Sequence, residues 1–252
     1  MSAQPHTQEW HDERIGHYQK PVLFLDIETI PGQQPWIKER VAETVTPPSN
    51  MSKPETIEKW EREQKPDVIE DKWRKTSFDG ALGEIVSIAW AIGDNEVSVS
   101  YRESLNDSEA DLLQFALDRI ATDAQESVGA RRLQWVGHNL VNFDLRFLWQ
   151  RCVINGVQPP ISIPYDAKPW NETVFDTMTE WTGVGQGRGV CSMDDLCRAM
   201  GIESHVHDID GSQVWDYARD GRMREIAEYN MDDVRKTREM WRRMRFLAGS
   251  HA

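Results

Sequence analysis

Residues Pro21–Thr29 read PVLFLDIET. The run Val22–Leu25 suits a buried β-strand, and it closes on two acids, Asp26 and Glu28, spaced by one residue. Strand side chains alternate, so both carboxylates project to the same face. An otherwise Val-Leu-Phe-Leu strand has no structural use for two acids side by side. Burying them unpaired is costly unless a metal ion compensates. The competing reading is an acid pair at a loop edge.

Outward from this strand, Gly83–Ile92 (GEIVSIAWAI) is a second buried run, Gly93-Asp94-Asn95 a turn, and Glu96–Tyr101 (EVSVSY) an alternating third strand. The turn joins the two as an antiparallel hairpin. Ser108–Ala124 carries helical periodicity, with Ser108 and Asp111 in capping-box spacing. Leu133–Val136 reads as a fourth strand, followed by a helix from about Asn142 to Ile154, and Thr173–Phe175 as a short fifth strand. Ser192 with Asp195 opens another helix, and a last long helix runs from about Arg222 to Phe246. Antiparallel strands followed by strands alternating with helices predict an α/β fold built on a mixed sheet.

Residues 1–20 form a polar leader, and 21–248 read as one domain with a charged helical insertion at about 43–78. The polar, proline-spaced stretch Gly32–Phe78, densely charged over Glu55–Lys75, has too few apolar residues for its own core and is expected to hold one or two exposed helices.

The chain has 252 residues, 39% of them hydrophobic, enough for a sizeable core. No run approaches the roughly 18 apolar residues of a membrane span, and Met1–Lys20 lacks the apolar centre of a signal peptide, so a cytoplasmic protein with no membrane partner is expected. Cys152, Cys191 and Cys197 form no zinc spacing and read as reduced thiols. The net charge of −13 argues against a bulk electrostatic grip on a polyanion. That objection weakens if carboxylates converge on cations, which invert the local field.

Two further segments carry chemistry. Val136–Asp144 (VGHNLVNFD) leaves a strand, turns through Gly137–Asn142 and enters a helix with Asp144 in its first turn. This brings Asp144 to the strand ends, where sites in α/β sheets collect; alternatively it only complements the helix dipole. In Tyr229-Asn230-Met231-Asp232-Asp233, Tyr229 and Asp233 are four apart and share a helical face, whereas Asp232 points elsewhere as a solvated charge. Asn139 and Asn142 either contact a ligand or hold the turn. Arg188, in a glycine-rich stretch, either reaches a phosphate or is a solvated loop arginine. His205 and His207 beside Asp208 read as a surface loop, and Asp176 as a helix cap. Trp90, Trp135 and Trp149 belong in the core; Trp36, Trp60, Trp73 and Trp170 lie in polar segments, where one or two could stack on bases.

In chain order, D-x-E (Asp26, Glu28), Asn-x3-Phe-Asp (Asn139 to Asp144) and Tyr-x3-Asp (Tyr229, Asp233) resemble the DEDD superfamily of 3′–5′ exonucleases, tyrosine subclass. The histidine subclass has a histidine where this chain has Glu228. Gly137–Leu148 is similar to the second exonuclease motif of family B DNA polymerases, and Ser192–Met244 resembles the predicted stand-alone exonucleases related to that proofreading domain. The resemblance implies a ribonuclease H-like mixed five-stranded sheet flanked by helices. It also implies two-metal hydrolysis of phosphodiester bonds at a nucleic-acid 3′ end, releasing nucleoside 5′-monophosphates. Two Mg²⁺ or Mn²⁺ ions would be held by Asp26, Glu28, Asp144 and Asp233, Asp26 bridging them, Glu28 and Asp233 on one and Asp144 on the other. Tyr229 would position the attacking water, with Thr29, Asn139, Asn142, Phe143 and Arg188 toward substrate. The implied partner is DNA, single-stranded preferred, with a polymerase or other replication or repair protein beside it. An RNA-trimming exonuclease, or a non-catalytic nucleic-acid-binding protein of the same fold, are the alternatives.

Overall fold

The computed structural model describes residues 21–129, 132–183, 191–206 and 209–247. Five strands form one mixed sheet: β1 (Val22–Ile30), β2 (Glu84–Ile92), β3 (Ser98–Tyr101), β4 (Gln134–Gly137) and β5 (Val174–Asp176), in the spatial order β3-β2-β1-β4-β5. β1 pairs antiparallel with β2, and β2 with β3, through the expected hairpin. β4 runs parallel to both β1 and β5. The mixed five-stranded sheet flanked by helices thus stands as expected.

Alternation along β1 sorts the core into two layers. Leu23, Leu25 and Ile27 face one side, where they pack with helix α4 (Glu109–Val128) and helix α5 (Asp144–Asn155) through Leu113, Leu117, Ile120, Leu145 and Leu148. Val22 and Phe24 face the other side and meet Val136, Phe175 and, from the long helix α9 (Met223–Met244), Val234. Both faces of β2 are buried along its whole length, which is why GEIVSIAWAI reads as a continuous apolar run. Trp90 and Trp135 lie in the core, and Trp149 packs at its margin, stacked on Tyr165.

The proline-spaced segment differs from expectation. It carries three helices, α1 (Pro35–Thr44), α2 (Pro54–Glu63) and α3 (Lys65–Arg74), each with a proline in its first turn, and then a 3₁₀ turn, Lys75–Phe78. Trp60 and Trp73 are buried, so neither is free to stack on a base. Trp73 donates its indole N–H to Gly32 O and sets its ring edge-on to Trp215 of helix α8 (Val214–Arg219) at 5.0 Å. Arg74 forms a bidentate pair with Asp216 at 2.8 and 3.0 Å. A few large side chains therefore dock a polar segment that has too little apolar area to be recognised by periodicity. Trp36 and Trp170 are exposed.

Two short helices complete the set, α6 (Thr177–Thr182) and α7 (Met193–Met200), the latter capped by Ser192 as its spacing predicts. Among the described residues no helix is long and apolar enough to cross a membrane.

Candidate metal centre

Asp26 and Glu28 continue the Val22–Phe24 face of β1, opposite Ala89 and Ser87 of β2. The face that begins as core under α9 therefore ends in two carboxylates. The pairing with β2 shifts register just after Glu28, between it and Thr29. The parallel pairing of β1 with β4 runs only from Val22↔Gln134 to Phe24↔Val136. Beyond it, the Ile27 amide donates instead to Asp144 Oδ1 at 3.2 Å. The gap between diverging parallel strands is thus closed by the carboxylate at the start of α5, and Asp144 is held against β1.

The turn that delivers Asp144 is tightly built. A Cβ on Gly137 would sit 2.7 Å from Leu140 Cδ1 and 3.0 Å from Leu25 O, so the close approach requires glycine. Asn139 adopts the left-handed conformation at φ 60, which asparagine tolerates better than most residues. Its side-chain oxygen accepts from Asn142 Nδ2 at 3.1 Å. Asp176 accepts from the amides of Asn139 and Val141 and from those of Met178 and Thr179 at the start of α6. Asp176 is thus a cap, and both asparagines are engaged in holding the turn.

Helix α9 supplies the rest. Asp233 lies under the strand acids, and one carboxylate oxygen from each of Asp26, Glu28 and Asp233 falls within 4.8 Å of the others. Asp144 stands outside this trio but close enough to raise the proton affinity of Asp26 and Glu28. Tyr229 hydrogen-bonds Asp233. The four acids and the tyrosine therefore converge from three remote segments.

Three α9 residues play parts that sequence spacing did not reveal. Asn230 is fully buried; its amide donates to Asp26 Oδ2 at 2.6 Å and its oxygen accepts from Ser87 Oγ at 2.7 Å, tying strand acid to helix. Asp232 is not a solvated charge: it is fully buried and accepts from Ser204 Oγ and the His205 amide. Lys236, buried at 4% exposure, sets its ammonium 2.5 Å from Asp233 Oδ1 and 3.8 Å from both Asp232 and Asp194. Its i+3 and i+4 spacing from the two aspartates is the signal that could have found it.

Charge crowding is the dominant electrostatic feature. Burial, then the neighbouring acids, hold the carboxyls of Asp26 and Glu28 well above the usual range; Asn230 partly offsets this at Asp26 and Lys236 at Glu28. Burial lifts Asp144 to about 8 despite its backbone hydrogen bonds. Asp233 is raised by burial against the pull of Lys236 and Tyr229. Burial and the acids around Tyr229 keep its hydroxyl protonated. Lys236 is drawn down by burial, but Asp233, Asp232 and Asp194 outweigh this and keep it charged. The donor set is all hard oxygen and short of compensating charge, which fits Mg²⁺ or Mn²⁺.

Around the acids, Thr29 donates its hydroxyl to Ser77 O at 2.8 Å, anchoring the 3₁₀ turn to β1. Exposed Phe78 of that turn lies edge-to-face with Phe143 at 6.4 Å. Arg188, His207 and Asp208 lie outside the described residues, as do residues 1–20.

Residues 78–251 match the model of a family described as "Predicted 3'-5' exonuclease related to the exonuclease domain of PolB". The chain belongs to this family. The matched stretch includes Asn139–Asp144, Tyr229 and Asp233 but starts after β1, so Asp26 and Glu28 join the site through the fold. No curated protein matches the chain. Among solved structures, the family B DNA polymerase of the hyperthermophilic archaeon Pyrobaculum calidifontis is similar at 17% identity and a TM-score of 0.50, over 89% of this chain and 24% of the polymerase chain. The chain thus spans about a quarter of that polymerase, and the likeness at this identity is one of fold.

Proposed function

We propose that this member of the family hydrolyses nucleic acid from the 3′ end, releasing nucleoside 5′-monophosphates, with single-stranded DNA as substrate and Mg²⁺ or Mn²⁺ as cofactor. The observation that carries the proposal is the convergence of half-buried Asp26 with buried Glu28 and Asp233 within 4.8 Å beside Asp144, a set of acids that the protein itself leaves under-compensated. Asp26, Glu28, Asp144 and Asp233 would hold two ions. When bound, these would supply an activated water and relieve charge on the phosphoryl oxygens.

The protein's own groups have definite tasks in this reading. Asn230 fixes the Asp26 carboxylate by a 2.6 Å hydrogen bond, so the ligand does not reorganise on loading. Tyr229 remains a neutral phenol bonded to Asp233, suited to orienting a water by hydrogen bonding and not to taking its proton, in line with the tyrosine subclass. Phe143, next to Asp144, and its neighbour Phe78 offer rings on which a terminal base can stack. Thr29, Asn139 and Asn142 would reach a substrate only by giving up structural bonds, Thr29 to Ser77 O and the two asparagines to each other.

The test is an assay on 5′-labelled and 3′-labelled single-stranded DNA and RNA with Mg²⁺, Mn²⁺ or chelator. The expected result is a ladder of stepwise shortened 5′-labelled DNA, with mononucleotide released from the 3′ label and no reaction in chelator. RNA shortened in preference to DNA would change the substrate and keep the reaction. A protein that binds the strands yet shortens none of them with either ion is a binding protein, and the proposal fails.

A further inference from the structure

We propose that Lys236 is a built-in cation that competes with a metal ion for Asp233 and so sets how tightly that ion is held. The inference rests on the metal-dependent reading above. Lys236 Nζ stands 2.5 Å from Asp233 Oδ1, so one of the oxygens available to an ion is already occupied by a positive charge. The lysine is not a surface residue folded inward. Its side chain is 4% exposed, and its ammonium lies 5.7 Å from the Tyr229 ring.

The acids around it explain why the charge stays at the site when Asp233 is engaged elsewhere. Asp232 Oδ2 on the same helix and Asp194 Oδ1 on α7 each lie 3.8 Å from Nζ. Asp232 is itself fixed by Ser204 and His205. The ammonium therefore has two waiting partners within a short swing and no need to leave. An ion at Asp233 must share a carboxylate with Lys236 or displace it, and in either case stays within a few ångströms of a fixed like charge. At a buried site that repulsion is weakly screened. Asp144, held by the Ile27 amide, has no such cationic competitor among the described residues. The ion that uses Asp233 is consequently the weaker of the two and the later to load.

The experiment is Mn²⁺ binding to the chelator-treated full chain, measured by calorimetry and by the free-Mn²⁺ electron paramagnetic resonance signal, for the wild type, Lys236→Met and Lys236→Gln. The expected result is two classes of site in the wild type. In both variants the weaker class tightens at least tenfold, while the metal-free protein melts at a lower temperature because Asp232 and Asp233 lose their partner. A merely structural lysine would loosen metal binding when replaced. Equal or weaker Mn²⁺ affinity in folded variants overturns the role of Lys236 and leaves the metal centre standing. Absence of Mn²⁺ binding in all three proteins overturns the metal centre and this inference together. If neither variant folds even with Mn²⁺ present, the lysine is structural and the inference is overturned.

Discussion

Two groups of buried or half-buried carboxylates in this molecule are treated in opposite ways. Glu109, at the start of α4, is surrounded by donors: the Ile85 amide at 2.8 Å, Arg151 at 2.5 and 2.9 Å, and Asn155 at 2.9 Å. Glu84 is likewise paired with buried Arg102 at 2.8 Å. Remote in sequence from Glu109, Asp26, Glu28 and Asp233 share one amide, one phenol and one ammonium among three carboxylates. Donors that would neutralise an acid are supplied where the acid only joins elements, and withheld where it faces other acids. Under the proposed function, the difference separates a carboxylate that serves stability from one kept ready for a cation.

The comparison is broken most directly by neutralising one member of each group. Asp26→Asn or Asp233→Asn is expected to lower exonuclease turnover by about 10³-fold or more, the loss of roughly 4 kcal/mol of transition-state stabilisation. The metal-free melting temperature should hold or rise for Asp26→Asn, because a like charge is removed, and fall for Asp233→Asn, which takes the 2.5 Å partner from buried Lys236. Near-normal turnover in either variant would contradict the assignment of these acids. Arg151→Met should do the reverse, costing about 3–5 kcal/mol in urea unfolding by stranding Glu109 while sparing the chemistry of the folded fraction. A loss under 1 kcal/mol would show that Glu109 is not dependent on its partner.

Smaller effects sharpen the contrast. Tyr229→Phe keeps the ring and every carboxylate, so a rate loss of about 10- to 100-fold with unchanged Mn²⁺ affinity is expected from loss of one positioned hydrogen bond. Turnover equal to wild type would remove the phenol from the reaction. The smallest effect is thermal. The acids at the site have raised pKa values, with Asp144 at about 8 against an ordinary 3.8. The folded, metal-free protein therefore holds more protons than the unfolded chain between these values, and its stability falls as pH rises through that window. Mg²⁺ or Mn²⁺ favours the ionised acids, so the gain in Tm on adding ion should exceed that at pH 6 by about 3 °C at pH 8. A gain independent of pH would mean that the ion binds elsewhere.

Much of this organisation was legible in the residues. The D-x-E pair ending an apolar strand, the hairpin after Gly93 and the Tyr229–Asp233 face of the last helix follow from periods of two and 3.6. What periodicity could not show is partner choice across elements. Asp232 looked solvated because it lies off the Tyr229–Asp233 face, yet Ser204 and His205 of a remote loop cover that side. Trp60 and Trp73 looked free because their neighbours are charged, yet α8 receives Trp73 and both are buried. A helix wheel or local composition reports one element's own faces, and says nothing of what arrives from 20 or 100 residues away.

The chain by itself therefore determined the strands, the long helices outside the proline-spaced segment and which acids share a face, because these depend on local geometry repeated along the backbone. Only the tertiary structure decided that Asp26, Glu28 and Asp233 meet within 4.8 Å, that Asn230 grips the first of them, and that Lys236 stands against the last. Charges interact through space and through their shared loss of water, so their state is set by distance and burial in the packed molecule, whatever their separation along the sequence.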